Sequence, residues 1–399
     1  MQPNPLQNDY KRFPKHTRGG TELAAQTLDR AANGKYTLTD TEIFWRDVYY
    51  YLLSKGYRLR PRYVPGWTAP WIGTDIYPIY FEESTVLMLP GVIDARRESD
   101  DTTVAIKWIP EEMLTRDELA IHRFVSSDAM RSDPRNHCNP LLDSFPHPTD
   151  VKGVFIVTPW LYDMIEYPLM FVNDVVDMML QVFEGLVFLH EHKIAHRDCS
   201  GRNILQDALS AFPGRRCHPL HLGSSEDLQT YYNPKQRCMS NVRYYLIDFG
   251  ISSHFQGPGP YRVTGTVGRD PTPPELSDEV PYDPFPLDVY TVGNHFLTAY
   301  VQKYSNLEFL RPLLVRMTRS DPARRPPADL ALLMLEALTR RPHGISFRWR
   351  LQPRTEGFVR AGLLNVYCIF REVYFQMRRV LLRTNELSFG RPRPASSTR

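Results

Sequence analysis

The sequence predicts an α+β fold in which a small β-rich part precedes a larger helical part. Apolar or alternating runs at 85–96, 103–109 and 153–161 carry the two-residue period of strands. Beyond Leu161, apolar residues recur every three or four positions, the period of a helix with one buried face. Strands first and helices afterwards set the order of the two parts along the chain. No internal repeat interrupts it.

Residues 1–75 read as an extension ahead of the β-rich part. The first 20 are polar, hold Pro3, Pro5 and Pro14, and are expected to be disordered. A helix is predicted over 21–32, closed by Asn33-Gly34. A second starts after Thr39, where Glu42 has capping-box spacing and Leu38 and Ile43 form a hydrophobic staple. It should carry Ile43, Val48 and Leu52 inward and stop near Gly56. The Pro- and Trp-rich stretch Pro61 to Trp71 leads into the strands, which flank a helix at about 114–127. Asn173 is the expected cap of a long helix carrying Val176, Met179, Phe183, Leu186 and Leu189. Further helices are predicted at 287–302, 306–318 and 327–340. The β-rich part is bounded at 76–161 and the helical part at 162–345, with a floppy polar insert at 207–241. The basic tail, 346–399, places Val359, Leu363, Val366, Phe370, Val373, Met377 and Val380 in a four-three spacing beside several arginines. That amphipathic helix, 359–381, is expected to dock on the body or a partner helix in preference to an anionic membrane surface.

Composition narrows the function. The 48 basic and 45 acidic residues leave a net charge of +3, which gives no reason to expect a nucleic-acid partner. Five cysteines, odd in number and widely spaced, make no disulfide framework and favour a reducing compartment, cytoplasmic or nuclear. No signal peptide is expected, and no run of about 18 uncharged apolar residues predicts a transmembrane segment. Cys217, His218, His221 and Cys238 are zinc-ligand types, but their spacing fits no standard site.

The sharpest chemical signal is His196-Arg197-Asp198-Cys199-Ser200-Gly201-Arg202-Asn203, directly after the long predicted helix. A carboxylate can take the proton of an attacking hydroxyl, and an amide a few residues on can hold Mg²⁺ against phosphates. Downstream, Tyr245-Leu246-Ile247 ends in Asp248-Phe249-Gly250; upstream stands Val104-Ala105-Ile106-Lys107. These resemble the H-R-D-x-x-x-x-N, D-F-G and V-A-I-K motifs of the eukaryotic protein kinases. Pro273-Pro274-Glu275 stands where that family has A-P-E. Asp288-Val289-Tyr290-Thr291-Val292-Gly293 is similar to its D-V-W-S-x-G, and Asp321 to Pro326 to its D-P-x-x-R-P. The resemblance covers about residues 80–340. The insert, the N-terminal helices and Pro284-Phe285-Pro286 are similar to the expanded kinase families of mushroom-forming fungi.

The resemblance implies a two-lobed protein-kinase-like fold, ATP and Mg²⁺ as cofactors, and protein substrates phosphorylated on Ser or Thr. Asp198 would be the catalytic base. Lys107, paired with Glu118 (with Glu111 and Glu112 as competitors), would hold the phosphates, and Asn203 and Asp248 the metal. Thr158 would be the gatekeeper of a hinge running through Trp160 and Leu161, with Val92, Ala105 and Leu205 sandwiching the adenine. His196 would be structural, Asp288 would brace the catalytic loop, and Arg325 would pair with Glu275. Arg197 would meet a phosphate at Ser252, Ser253, Tyr261, Thr264 or Thr266, or else a local carboxylate.

The chain departs from the pattern in three places. Of the glycine-rich loop expected near 87–91, only Gly91 remains, which should weaken ATP binding. Ser200 replaces the usual Lys two residues after Asp198, and Arg202 could supply the missing charge, as in many tyrosine kinases. Gly265-Thr266 lies farther from Glu275 than the family's G-T. A pseudokinase scaffold, a tyrosine or dual-specificity kinase and a small-molecule kinase are the alternatives.

Overall fold

The computed structural model describes residues 13–87, 89–113, 117–149, 153–340 and 348–381. Five antiparallel strands form one sheet: β1 (Tyr57–Arg58), β2 (Val92–Arg97), β3 (Thr102–Ile109), β4 (Asp143–Pro146) and β5 (Val154–Pro159), in the order β1-β2-β3-β5-β4. Register fixes the two faces. Ile93 lies opposite Ile106 and Ile106 opposite Val157, and these side chains are buried. One residue over, Val92 lies opposite Lys107, and Asp94 lies opposite Ala105, which lies opposite Thr158. Strand side chains alternate in direction, so these last residues share the other face.

Three helices precede the sheet: α1 (Gly20–Ala32), α2 (Asp40–Asp47) and α3 (Tyr49–Ser54). Trp45, Val48, Tyr49 and Leu52 cover the apolar face of the sheet, and Lys107 lies on the opposite face. The capping box forms: Thr39 N donates to Glu42 Oε2 at 2.9 Å and Glu42 N to Thr39 Oγ1 at 3.4 Å. The expected single helix divides at Val48, and its inward residues include Glu42, whose buried carboxylate pairs with Arg62. The connection 59–91 between β1 and β2 is no hairpin. It carries a small core of its own, Ala69, Trp71, Ile76 and Phe81, against Tyr36 and Trp67. The expected glycine loop is thus only the end of a long excursion, and the sheet takes its first strand from ahead of residue 76.

Next come α4 (Glu118–Val125) and α5 (Asp128–Arg131), then α6 (Val172–Glu191). Helix α6 is buried nearly all round, as an axial helix must be to remain so apolar. Its N-terminus is held by Asp174, whose Oδ2 accepts from the N–H groups of Met170 and Phe171 at 2.9 Å each. Asp174 therefore replaces Asn173, the expected cap. Around α6 pack α7 (Pro284–Phe296), α8 (Arg311–Met317) and α9 (Ala328–Thr339). Helix α7 starts earlier than predicted because Asp283 caps it, accepting from Phe285 N at 3.0 Å. Helix α8 starts later, after a 3₁₀ turn at Ser305–Leu310, with Pro312 in its first turn, where no N–H is missed.

Short two-stranded ribbons decorate this body: β7 (Ile204–Asp207) with β10 (Arg243–Leu246), β6 (Ile194–Ala195) with β11 (Ser253–His254), β8 (Cys217–His218) with β9 (His221–Ser225), and β12 (Val263–Gly265) with β13 (Ser277–Tyr282). The insert expected to be floppy is anchored. Cys217, His218 and Leu222 are buried, His218 Nε2 lies 3.2 Å from Glu82 Oε1, and Trp160 Nε1 donates to Pro219 O at 2.8 Å. Cys138, Cys199, Cys217 and Cys368 carry free thiols.

Helix α10 (Phe358–Leu381) closes the described chain. It docks through buried Cys368, the Arg348–Glu372 ion pair and Arg371, which lies 3.7 Å from the centre of the Phe171 ring. Val359, Leu363, Val366, Phe370, Val373 and Met377 face outward. Among the described residues, no helix is long and apolar enough to cross a membrane.

Candidate active site

Strand β3 and helix α4 bring Lys107 and Glu118 together. Lys107 Nζ donates to Glu118 Oε1 at 2.5 Å and to Asp248 Oδ1 at 2.9 Å. Burial pulls the Lys107 ammonium down, but the two carboxylates more than reverse this and hold it above the usual lysine range. Burial pushes Asp248 up, and Lys107 overrides it, so Asp248 sits below the ordinary carboxylate range and is ionised near neutrality. Gly250 stands close against this cluster. A Cβ there would lie 3.1 Å from Asp248 Oδ1 and 3.4 Å from Glu118 Oε2.

The second half of the site hangs on the β7–β10 ribbon. Leu246 pairs with Ile204, and Ile247 N donates to Asn203 O at 3.0 Å, so Asn203 and Asp248 emerge side by side from adjacent strand ends. Asn203 Nδ2 reaches back to Asp198, donating to its backbone O at 2.9 Å and to Oδ2 at 2.8 Å. Burial raises the Asp198 carboxyl, which Arg269 N–H, His196 and Asn203 only partly oppose. Two carboxylates whose environments push them in opposite directions are suited to different tasks, one to accept a proton and one to hold a cation.

Asp288 on α7 is fully buried and sets the loop that carries Asp198. It accepts from Arg197 N at 2.6 Å and His196 N at 2.8 Å, and faces His190 Nε2 at 3.0 Å. His196 Nε2 lies 3.0 Å from Ile247 O, and its ring packs 5.4 Å from Phe249. His122 of α4 meets Phe249 edge-on at 5.0 Å, so a column of rings links Glu118's helix to Asp198's loop. Arg197 and Asp248 have φ of 67° and 65°, in the left-handed region. Such backbone costs about 1–3 kcal/mol per residue and concentrates at functional sites.

Behind the loop, Arg325 pairs with Glu275, with Nη2 to Oε2 at 2.8 Å. Thr266, one of the G-T pair, turns away and bonds Asp278 at 3.1 Å. Beside Asp198 stands Arg269, whose N donates to Asp198 Oδ1 at 3.0 Å. Counting back from Glu275 would have found a misplaced threonine, but not Arg269. Ser252 is buried and donates to His196 O at 2.9 Å, so it is no accessible phosphosite. Arg197 Nη2 donates to Thr264 O at 2.7 Å.

Of the residues expected around an adenine, Ala105 and Thr158 sit in one row of the sheet, with Val92 on the same face one row over. Leu205 projects from β7, and Leu161 is buried just past β5. Sequence reasoning missed Asp94 in that row. It is 2% exposed and bound to Arg60 Nε at 2.8 Å, while its Oδ1 has no partner among the described residues. An acidic residue inside a strand run was the available signal. Arg202 joins none of these bonds and lies exposed along a neighbouring cavity.

No family model matches the chain, and no curated protein matches it.

Proposed function

We propose that this chain adopts the two-lobed fold of protein kinases and transfers the γ-phosphate of ATP to Ser or Thr hydroxyls of proteins in the cytoplasm. One observation carries the reading. A half-buried lysine bridges Glu118 and Asp248, and Asp248 emerges beside an Asn203 that is bonded to Asp198. That set provides a phosphate-holding cation, a carboxylate–amide pair for a metal and a separate base within one cleft. Mg²⁺, held by Asp248 and Asn203, would neutralise phosphate charge; a carboxylate and an amide oxygen are its preferred ligand types. Lys107 would hold the phosphates, kept in place by Glu118. Asp198 would orient the acceptor hydroxyl and take its proton at Oδ1 or Oδ2, an effect worth typically 10²–10⁴-fold. The outward apolar stripe of α10 suits a partner helix.

A pseudokinase is the second reading, favoured by the 59–91 excursion standing where kinases have a glycine loop. The deciding experiment is labelled γ-phosphate transfer from Mg-ATP to a mixed peptide library, followed by identification of the labelled residue. Phosphoserine or phosphothreonine supports the proposal; phosphotyrosine alone reassigns the substrate. No labelled peptide, from protein that a thermal shift shows to bind Mg-ATP, would refute the protein-kinase reading and favour the pseudokinase.

A further inference from the structure

Beside Asp198 lies a cavity of about 630 Å³ that the phosphotransfer centre does not use. Its polar lining is Asp163, Ser200, Arg202, Arg269, His295 and Tyr300. Ser200 and Arg202 follow Asp198 in the same loop, and Arg269 N is bonded to Asp198 itself. The cavity therefore opens where residues flanking an acceptor hydroxyl would lie.

Its chemistry favours an anion. Arg202 is exposed and has no hydrogen-bond or ion-pair partner among the described residues. Arg269 is half-exposed, its Nε 3.7 Å from Asp198 Oδ2. Ser200 Oγ, at the cavity wall, has no hydrogen-bond partner among the described residues. His295 adds no charge near neutrality, because burial pushes its imidazole down to about 4. Asp163 is the one carboxylate in the lining, and its Oδ1 already accepts from Ile165 N at 2.9 Å. The unpaired Arg202 guanidinium, with Arg269 shared with Asp198, thus faces one partly engaged carboxylate.

We infer that this cavity selects substrates carrying an acidic side chain next to the acceptor residue, with Arg202 as the specificity-determining residue. The inference rests on the protein-kinase reading for the acceptor, but its anion recognition can be measured without catalysis. Arg202 then acts on substrate affinity rather than on the transferred phosphoryl group. A charge-assisted hydrogen bond to one guanidinium is worth about tenfold or more in binding.

The test uses the full chain and fluorescent peptides with Ala at the acceptor position. Flanking positions carry Ala, Lys, Glu or phosphoserine, and binding is compared for wild type, Arg202→Lys and Arg202→Glu. Wild type should bind the Glu or phosphoserine peptides about tenfold tighter than the Ala peptide. The two acidic arms separate carboxylate from phosphate recognition. Arg202→Lys should keep most of the preference, and Arg202→Glu should transfer it to the Lys peptide. Equal binding of all peptides by wild type, or an acidic preference that survives Arg202→Glu, overturns the inference. Acceptor-containing versions of the same peptides report on transfer separately. Acid-selective binding without transfer would leave the cavity assigned and refute the kinase reading, whereas transfer without acid selectivity would do the reverse.

Discussion

His122 offers a perturbation whose magnitude follows from its surroundings. It sits on α4, 3% exposed, edge-on to Phe249, and its Nδ1 has no partner among the described residues. Burial, reinforced by the Lys107 ammonium and only partly opposed by Asp248, pushes its imidazole from 6.5 to about 3. The unfolded chain takes up a proton below pH 6.5, while the folded protein resists until about pH 3. This contribution to stability is therefore complete above pH 6.5 and is lost progressively as pH falls from there toward 3. At pH 5 the loss comes to about 2 kcal/mol, since each pH unit in the window carries about 1.4 kcal/mol. Urea unfolding of wild type and His122→Leu at pH 7.5 and pH 5 reads it directly. Between the two pH values, the stability difference should move about 2 kcal/mol in favour of the leucine protein. His295, also held low, acts equally in both proteins and cancels. A difference that stays constant between the two pH values would refute the reasoning.

Three other perturbations follow. Arg325→Met leaves the Glu275 carboxylate buried without its partner and should cost about 3–5 kcal/mol in guanidinium unfolding. Adding Glu275→Gln should cost much less than the sum of the two single changes. Asp198→Asn should melt no lower than wild type at pH 7, because ionising the raised Asp198 carboxyl is unfavourable in the folded state. That cost exists above its folded pKa and vanishes on acidification, so any gain should shrink toward pH 4. Phe370→Glu on the outward stripe, where Phe370 is 69% exposed, should change stability by no more than about 0.5 kcal/mol. A large loss in thermal melting would mean that this face is covered in solution.

The parts of the fold legible in the sequence are those set by short-range pattern. Strands β2, β3 and β5 show their period, Thr39 and Glu42 show their spacing, and α6 shows its apolar repeat. The Lys107–Glu118 pair was legible because Ile121 fixes which way α4 faces; Ile121 is fully buried and Glu118 lies one turn away. What the sequence hid depends on distant partners. Strand β1 is two residues long and held by Tyr57, which stacks on Phe145 and bonds Asp143. The insert looked floppy because its anchors, Glu82 and Trp160, lie far away in sequence. Asn173 and Asp174 have equal capping propensity, and only the path of Met170 and Phe171 decides between them. Arg269 escaped notice because a nearby G-T drew the register, although Thr266 was already committed to Asp278.

The most direct measurement is phosphate transfer by wild type and Asp198→Asn under Mg-ATP that a thermal shift shows to be saturating for both. Equal binding, transfer by wild type, and a loss of about 10²-fold or more in the variant are expected. Equal transfer by both proteins, or saturating Mg-ATP with no transfer by wild type, would contradict the proposed function.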